Sequence, residues 1–157
     1  ALDQALAEKE RAQAGLHASE ELFRAFMNAS PFLSYIKDAA GRLLFYNKRF
    51  AQRFGVSEYA WLGRTDEQLW SRKLTHSVRS HDLEVMAGGR MVETEEHIRN
   101  VDGTISSLRS YKFPCHDSAG NMLLAGVAVD VEYVPGGHAW DYWDVEIRRV
   151  LAWLPLG

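Results

Sequence analysis

Three short polar stretches fix what this chain can become. Asp38-Ala39-Ala40-Gly41, Asn100-Val101-Asp102-Gly103 and Asp117-Ser118-Ala119-Gly120 each separate two apolar runs. Asp or Asn opens a turn by accepting hydrogen bonds from nearby backbone, and Gly tolerates the positive φ that closes it. The flanking runs are therefore hairpin partners: 32–36 with 42–46, 91–99 with 105–115, and 105–115 with 122–133. Five strands in three hairpins predict one antiparallel sheet. Between the second and third strands the texture turns helical. Asn47 caps a helix carrying Phe50 and Phe54 and ending at Gly55, and Ser57 caps a second with Tyr59, Trp61 and Leu62, ending at Gly63. Asp66 opens a single turn with Leu69 and Trp70. A longer helix over 72–87 carries Leu74, Val78, Val85 and Met86 and stops at Gly88-Gly89. The predicted class is α+β: a five-stranded antiparallel sheet with short helices between strands two and three.

The two ends differ from this middle. Residues 1–18 are rich in Ala, Glu and Gln, with Leu2, Leu6 and Leu16 on a thin helical seam weakened at Gly15. So narrow a stripe is marginal alone, and it either folds back on its own domain or pairs with a second copy. Ser19 is read as the N-cap of a separate helix over 20–28, which carries Leu22, Phe23 and Phe26 and is stopped by Pro31. At the other end Pro135-Gly136-Gly137 breaks the chain before Trp140, Trp143, Ile147, Val150, Leu151 and Leu154, which recur at helical spacing. This tail helix is expected to pack on a partner, lie at a membrane surface, or be foreign to the parent protein. The organisation read from the sequence is a linker helix at 1–18, a domain at 19–134 and a Trp-rich tail at 135–157.

Composition narrows the function classes. At 157 residues and 46% hydrophobic, the chain is a single domain with a core that needs no staple. A net charge of −3, with no basic run longer than two residues, leaves no electrostatic footprint for nucleic acid. A lone cysteine, Cys115, and the absence of a signal peptide or a membrane-length apolar run predict a cytoplasmic location. No phosphate-binding glycine loop, HExxH, CxxC or nucleophile elbow is present, so neither a catalytic residue nor a metal site is expected. His76 and His81 fall on different faces of their helix. Glu93 and Glu95 alternate with Glu96 on a strand and read as a solvated edge.

Several motifs recur in a familiar order. They are Glu21-Leu22-Phe23-Arg24 with Asn28-Ala29-Ser30-Pro31, Tyr46-Asn47-Lys48-Arg49-Phe50, Gly63-Arg64-Thr65-Asp66 and Asp82-Leu83-Glu84-Val85-Met86-Ala87-Gly88-Gly89. Asp102-Gly103-Thr104, Phe113-Pro114, Asp117-Ser118-Ala119-Gly120-Asn121 and Leu124-Ala125-Gly126-Val127-Ala128-Val129-Asp130 follow. Over about residues 20–133 this order resembles a PAS sensory domain of bacterial signal transduction. The resemblance implies a small-molecule pocket between the helices and the inner face of the sheet. It puts Gly126 and Ala128 on that face opposite Ser110, and the implied ligand-binding residues are Tyr35, Phe50, Phe54, Trp70, His81, Ser110, Gly126 and Ala128. It implies a non-catalytic module that binds an unidentified small molecule and forms a homodimer through the N-terminal helix. The signal would pass to a histidine kinase or diguanylate cyclase effector in the same parent chain, outside this fragment.

The resemblance also bears on cofactors. The light-sensing branch needs a Cys in an Asn-Cys-Arg motif on the helices after the second strand, and none stands there, Cys115 being on a strand. The oxygen-sensing branch places its haem-ligating His where this chain has Val78, which argues against haem, and the cofactor stays unknown. Two alternatives to the sensor are a haem-binding redox or gas sensor and a small α+β enzyme of isomerase or hydratase type. For the enzyme, Asp130 is the acidic candidate on the inner face.

Overall fold

The computed structural model describes residues 1–100 and 102–131, so the tail expected over 135–157 lies outside the described residues. The elements run α1 (Leu2–Ala29), β1 (Leu33–Asp38), β2 (Leu43–Tyr46), α2 (Lys48–Phe54), α3 (Asp66–Leu69), α4 (Arg72–Gly88), β3 (Val92–Arg99), β4 (Ile105–His116) and β5 (Met122–Val131). All five strands pair antiparallel in the spatial order β2-β1-β5-β4-β3, so the last strand in sequence is the middle one in space. The expected α+β class and hairpin pairing are what the chain adopts. The turns use the expected chemistry. Asp38 Oδ1 accepts from the Arg42 amide at 2.9 Å, and Asp117 Oδ1 accepts from the Ala119 and Asn121 amides at 3.0 and 2.9 Å. Gly41 and Gly120 each sit at φ 83°, where a side chain would be strained.

Two helical expectations fail, for different reasons. Residues 1–18 and 20–28 form one continuous helix, α1, which runs through both Gly15 and Ser19. A single Gly costs only about 1 kcal/mol against Ala, too little to break a helix of this length. The helix expected from Ser57 is instead a run of turns. The Tyr46 hydroxyl donates to the Ser57 carbonyl at 2.7 Å and accepts from the Trp61 amide at 3.1 Å. It thereby takes both backbone groups that a helix would have paired with each other.

The core lies between the sheet and α2–α4. Leu33, Tyr35, Leu43, Tyr46, Phe50, Val85, Leu124 and Ala128 form it, with Phe54, Trp61, Leu69 and Trp70 packed around them. Leu124 and Ala128 alternate inward along β5 as read from the sequence, and Ser110 of β4 stands directly opposite Ala128.

Asn47 joins three elements at one point. Its side-chain oxygen accepts from the Ser34 and Phe50 amides, both at 3.1 Å. Its amide nitrogen donates to the Met27 and Phe32 carbonyls at 2.8 and 2.9 Å. All four hydrogen-bonding positions of a 1% exposed side chain are thus filled, tying the end of α1 to β1 and α2. Phe23 adds a ring contact to Phe45 at 4.9 Å. No residue of α1 is buried, so its Leu2, Leu6 and Leu16 seam stays exposed.

Asn47→Asp keeps the shape but turns two donor contacts into oxygen facing carbonyl oxygen. Urea unfolding near neutral pH is expected to give a loss of about 3 kcal/mol, with amide exchange at Met27–Ser30 accelerated. A loss within about 0.5 kcal/mol, the range of ordinary surface changes, would mean that this junction does not hold α1.

Candidate functional site

Beneath the sheet's inner face the packing leaves a cavity of about 40 Å³. Its walls include Tyr35, Phe50, Phe54, Trp70, Ser110 and Ala128, six of the eight residues singled out from the sequence. Phe50 and Phe54, one turn apart on α2, meet at 4.7 Å between ring centres, and Phe54 meets Trp70 edge-on at 5.0 Å. A second, larger cleft of about 560 Å³ shares Phe54, Trp70, Leu74 and Ile98 with the cavity. These four side chains form the partition between the two spaces.

The other two residues fall elsewhere. Gly126 faces inward but does not line the cavity, because the Tyr35 ring lies over it; a Cβ built there would come within 2.3 Å of the ring. The volume that a small residue leaves on β5 is thus taken by the neighbouring strand's Tyr, its partner in register. His81 lies on α4, outside the cavity lining, with Nδ1 at 3.8 Å from the Glu96 carboxylate. Cys115 is half-buried near the end of β4.

What the sequence did not reveal is a buried chain of five charges, of which Lys37, Asp66 and Glu96 line this space. Lys37 Nζ of β1 donates to both oxygens of Asp66 at 2.8 and 2.9 Å and to Asp82 Oδ2 at 3.0 Å. Lys112 Nζ of β4 donates to Asp82 Oδ1 at 2.9 Å and forms an ion pair with Glu96 Oε1 at 2.6 Å. Asp82 therefore bridges both ammonium groups, one on each oxygen. The Trp70 indole donates to Asp66 Oδ1 at 3.2 Å, coupling the aromatic partition to the end of the chain. Side chains of Asp82 and Lys112 are fully buried, and Glu96 is 7% exposed. Glu96, expected on a solvated edge with Glu93 and Glu95, lies inside. Its strand twists onto α4, and alternation puts it inside with Thr94 and Ile98. Asp130, the acidic residue expected on the inner face, shares strand parity with Ala128 and is clamped by Arg53 of α2 at 2.8 Å near the strand's end.

Three members of the chain follow the periodicity of their own elements. Asp82 falls on the buried stripe of α4 with Thr75, Val78 and Val85. Lys112 shares strand parity with Ser110, and Lys37 with Tyr35. Among the described residues no group of three or more His, Cys, Asp and Glu side chains is arranged to hold a metal ion.

The electrostatics follow from burial and pairing. Burial disfavours a charged Asp82, but Lys37 and Lys112 outweigh it and hold the carboxyl below its ordinary range. Burial likewise opposes charge on Lys112, yet the Tyr35 phenol, Glu96 and Asp82 around it push the ammonium pKa up. Burial drives the Tyr35 phenol upward too, so it stays neutral.

These directions set how stability depends on pH. Asp82, depressed in the folded state, stabilises above its unfolded value of about 4 and loses that contribution as pH falls through the folded value. Lys112 and Tyr35, both raised, contribute fully below about pH 10 and lose it as pH climbs further. Stability measured by urea unfolding should therefore be flat between these limits and fall on both sides. Asp82→Asn is expected to lower it by about 3–5 kcal/mol near neutral pH and to flatten the acid limb. An acid limb of unchanged steepness in this variant would rule out Asp82 as its source.

With this geometry in view, comparison with known proteins is direct. The family model described as "PAS fold" matches residues 27–133. The methanogenesis regulatory histidine kinase FilI of Methanothrix harundinacea is 27% identical over 118 residues, covering 74% of this chain and 13% of that protein. The virulence sensor protein BvgS of Bordetella parapertussis is 25% identical over 128 residues, covering 79% of this chain and 10% of that protein. The chain thus spans only a small part of the length of either relative. The solved PAS domain of BvgS from Bordetella pertussis superposes with a TM-score of 0.60 at 20% identity, over 87% of this chain and 99% of that one. With the family model matching more than half of its length, the chain belongs to the PAS-fold family.

Proposed function

We propose that this chain is a sensory module. It takes a small molecule into the cavity between α2–α4 and the sheet and passes the event to an effector elsewhere in its parent chain. The observation that carries this reading is the shared wall. Phe54 and Trp70 separate the cavity from the wider cleft, and Trp70 is hydrogen-bonded to the end of the buried charge chain. A ligand that moves Trp70 disturbs Asp66, and through Lys37 it disturbs β1. Asn47 then links β1 to the end of α1. FilI is named as a histidine kinase and BvgS as a sensor, which supports a kinase-type effector for this chain too. The chain's own role would be regulatory rather than catalytic. The two carboxylates that line the cavity, Asp66 and Glu96, are each paired with a buried ammonium group.

The proposed partner for α1 is a second copy, because its Leu2, Leu6 and Leu16 seam has no cover among the described residues. Removal of residues 1–18 is expected to lower the dimer fraction in sedimentation equilibrium while leaving the melting transition of the domain in place. An undiminished dimer would move the interface elsewhere. For the ligand, native mass spectrometry of freshly purified protein is expected to reveal a retained small molecule. Ala128→Val, which adds volume to a cavity of about 40 Å³, is expected to abolish its retention while keeping or raising thermal stability. Equal retention by this variant would remove the cavity from the mechanism.

A further inference from the structure

Two spaces share one wall. The cavity of about 40 Å³ holds about one or two water molecules, whereas pockets for small ligands run to about 300–1,000 Å³. The adjoining cleft, at about 560 Å³, falls in that range, and Phe54, Trp70, Leu74 and Ile98 line both. Three of these belong to regular elements, α2, α4 and β3. Trp70 does not. It stands with Ser71 in the link between α3 and α4, in extended backbone at φ −118° and ψ 164°. Its half-buried indole is held by a hydrogen bond of 3.2 Å to Asp66 and by edge-on contacts to Phe54 and Trp61 at 5.0 and 5.3 Å. When that hydrogen bond opens, Asp66 keeps Lys37 on both oxygens. Trp70 is therefore the member of the wall that yields most readily.

The chemistry of the walls selects against charge. Lys37 is paired with Asp66 and Asp82, and Glu96 with Lys112, so the charged residues at the cavity are turned to one another. The surface left to the cavity is overwhelmingly apolar, with Leu33, Leu43, Val78 and Leu108 among its sources. On the rim of the cleft, Arg53 is engaged by Asp130, and Asp102 by Thr104. Arg99 is exposed and shares strand parity with Glu93, Glu95 and His97, away from the buried face of β3. A charged ligand entering here gives up its water without a matching partner. What the site offers instead is ring surface. Phe54, Trp61 and Trp70 lie 5.0 to 5.8 Å apart between ring centres, and rings prefer such edge-on and offset contacts with further rings.

We propose that cavity and cleft are one site for an uncharged aromatic molecule, with Trp70 as its gate. The ring enters from the cleft, displaces the indole from Asp66, and reaches Leu108 and Ala128, which line the cavity but not the cleft. This inference rests on the ligand-sensing reading and gives its ligand a chemical class and a route. The movement that opens the site is also the one that frees Asp66 from Trp70, so binding and signalling are a single event.

The test titrates the wild-type chain near neutral pH with benzyl alcohol, benzoate and benzylammonium, which share one ring and differ in charge. Benzyl alcohol is expected to give saturable shifts of the Trp70 indole cross-peak in proton–nitrogen spectra and of the Leu108 and Ala128 methyl signals in proton–carbon spectra. Benzoate and benzylammonium should bind more weakly by about tenfold or more. Trp70→Ala, which removes the gate, should bind benzyl alcohol at least as tightly as the wild type; weaker binding would make the indole a contact surface and not a gate. If that variant fails to fold, the methyl shifts of the wild type still decide. Equal or tighter binding of either ion would overturn the uncharged class. Shifts at Leu69 and Leu74 that leave Leu108 and Ala128 unmoved would overturn the single site, because the ring would then stop in the cleft. No saturable response to benzyl alcohol would overturn the whole inference; a molecule retained in native mass spectrometry would then keep the sensor reading, and its absence would end that as well.

Discussion

A row of five mutually paired charges fastens the helices of this domain to its sheet. Lys37, Glu96 and Lys112 come from three strands, and Asp66 and Asp82 from two helices. Ion pairs this deeply buried need not add net stability over an apolar core, because desolvation consumes most of the Coulomb gain. What they impose is arrangement. An ammonium group left without its carboxylate is far worse than a misfit methyl group, so shifted registers of β1 or β4 are disfavoured. Gly126 belongs to the same arrangement. It stands in register between Tyr35 and Lys112, and with no side chain of its own it lets the Tyr35 ring lie across β5 beside the lysine.

The cavity is a by-product of that arrangement. Helices held to the sheet by polar groups at one side leave the aromatic side chains of α2 and Trp70 to close the other. Because the Trp70 indole is bonded to Asp66, the closing ring and the charge chain move together. On the sensory reading proposed above, this coupling is the transducing element. It converts occupancy of a small space into a change at β1, whose far side is tied through Asn47 to the helix leading out of the domain.

The sequence made the scaffold legible and left the electrostatics hidden, for a physical reason. Turns are local: Asp38 with Gly41 and Asp117 with Gly120 declare their geometry within four residues, and the Phe50/Phe54 pair declares a buried helix face in the same way. Asn47 was recognised as a helix cap, but its two donor contacts to Met27 and Phe32 depend on chain brought back by folding. The charge chain is harder still. Its members lie on five elements between positions 37 and 112, and each looks alone like a solvated charge. Glu96 shows the difficulty best. Strand parity separated it from Glu93 and Glu95, but nothing local said which of the two faces was covered by α4. The same limit hid the fate of the space beside Gly126, which Tyr35 of a distant strand fills.

The central claim is that Lys37 and Lys112 are ordered, charged and sealed from solvent inside the domain. Proton–nitrogen correlation spectra of lysine ammonium groups near neutral pH test it most directly, since such groups are visible only when hydrogen-bonded and shielded from exchange. The account predicts two slowly exchanging ammonium signals, one lost in Lys37→Met and the other in Lys112→Met. A spectrum with no slowly exchanging ammonium would contradict it, because both lysines would then be open to water and the charge chain would not exist as described.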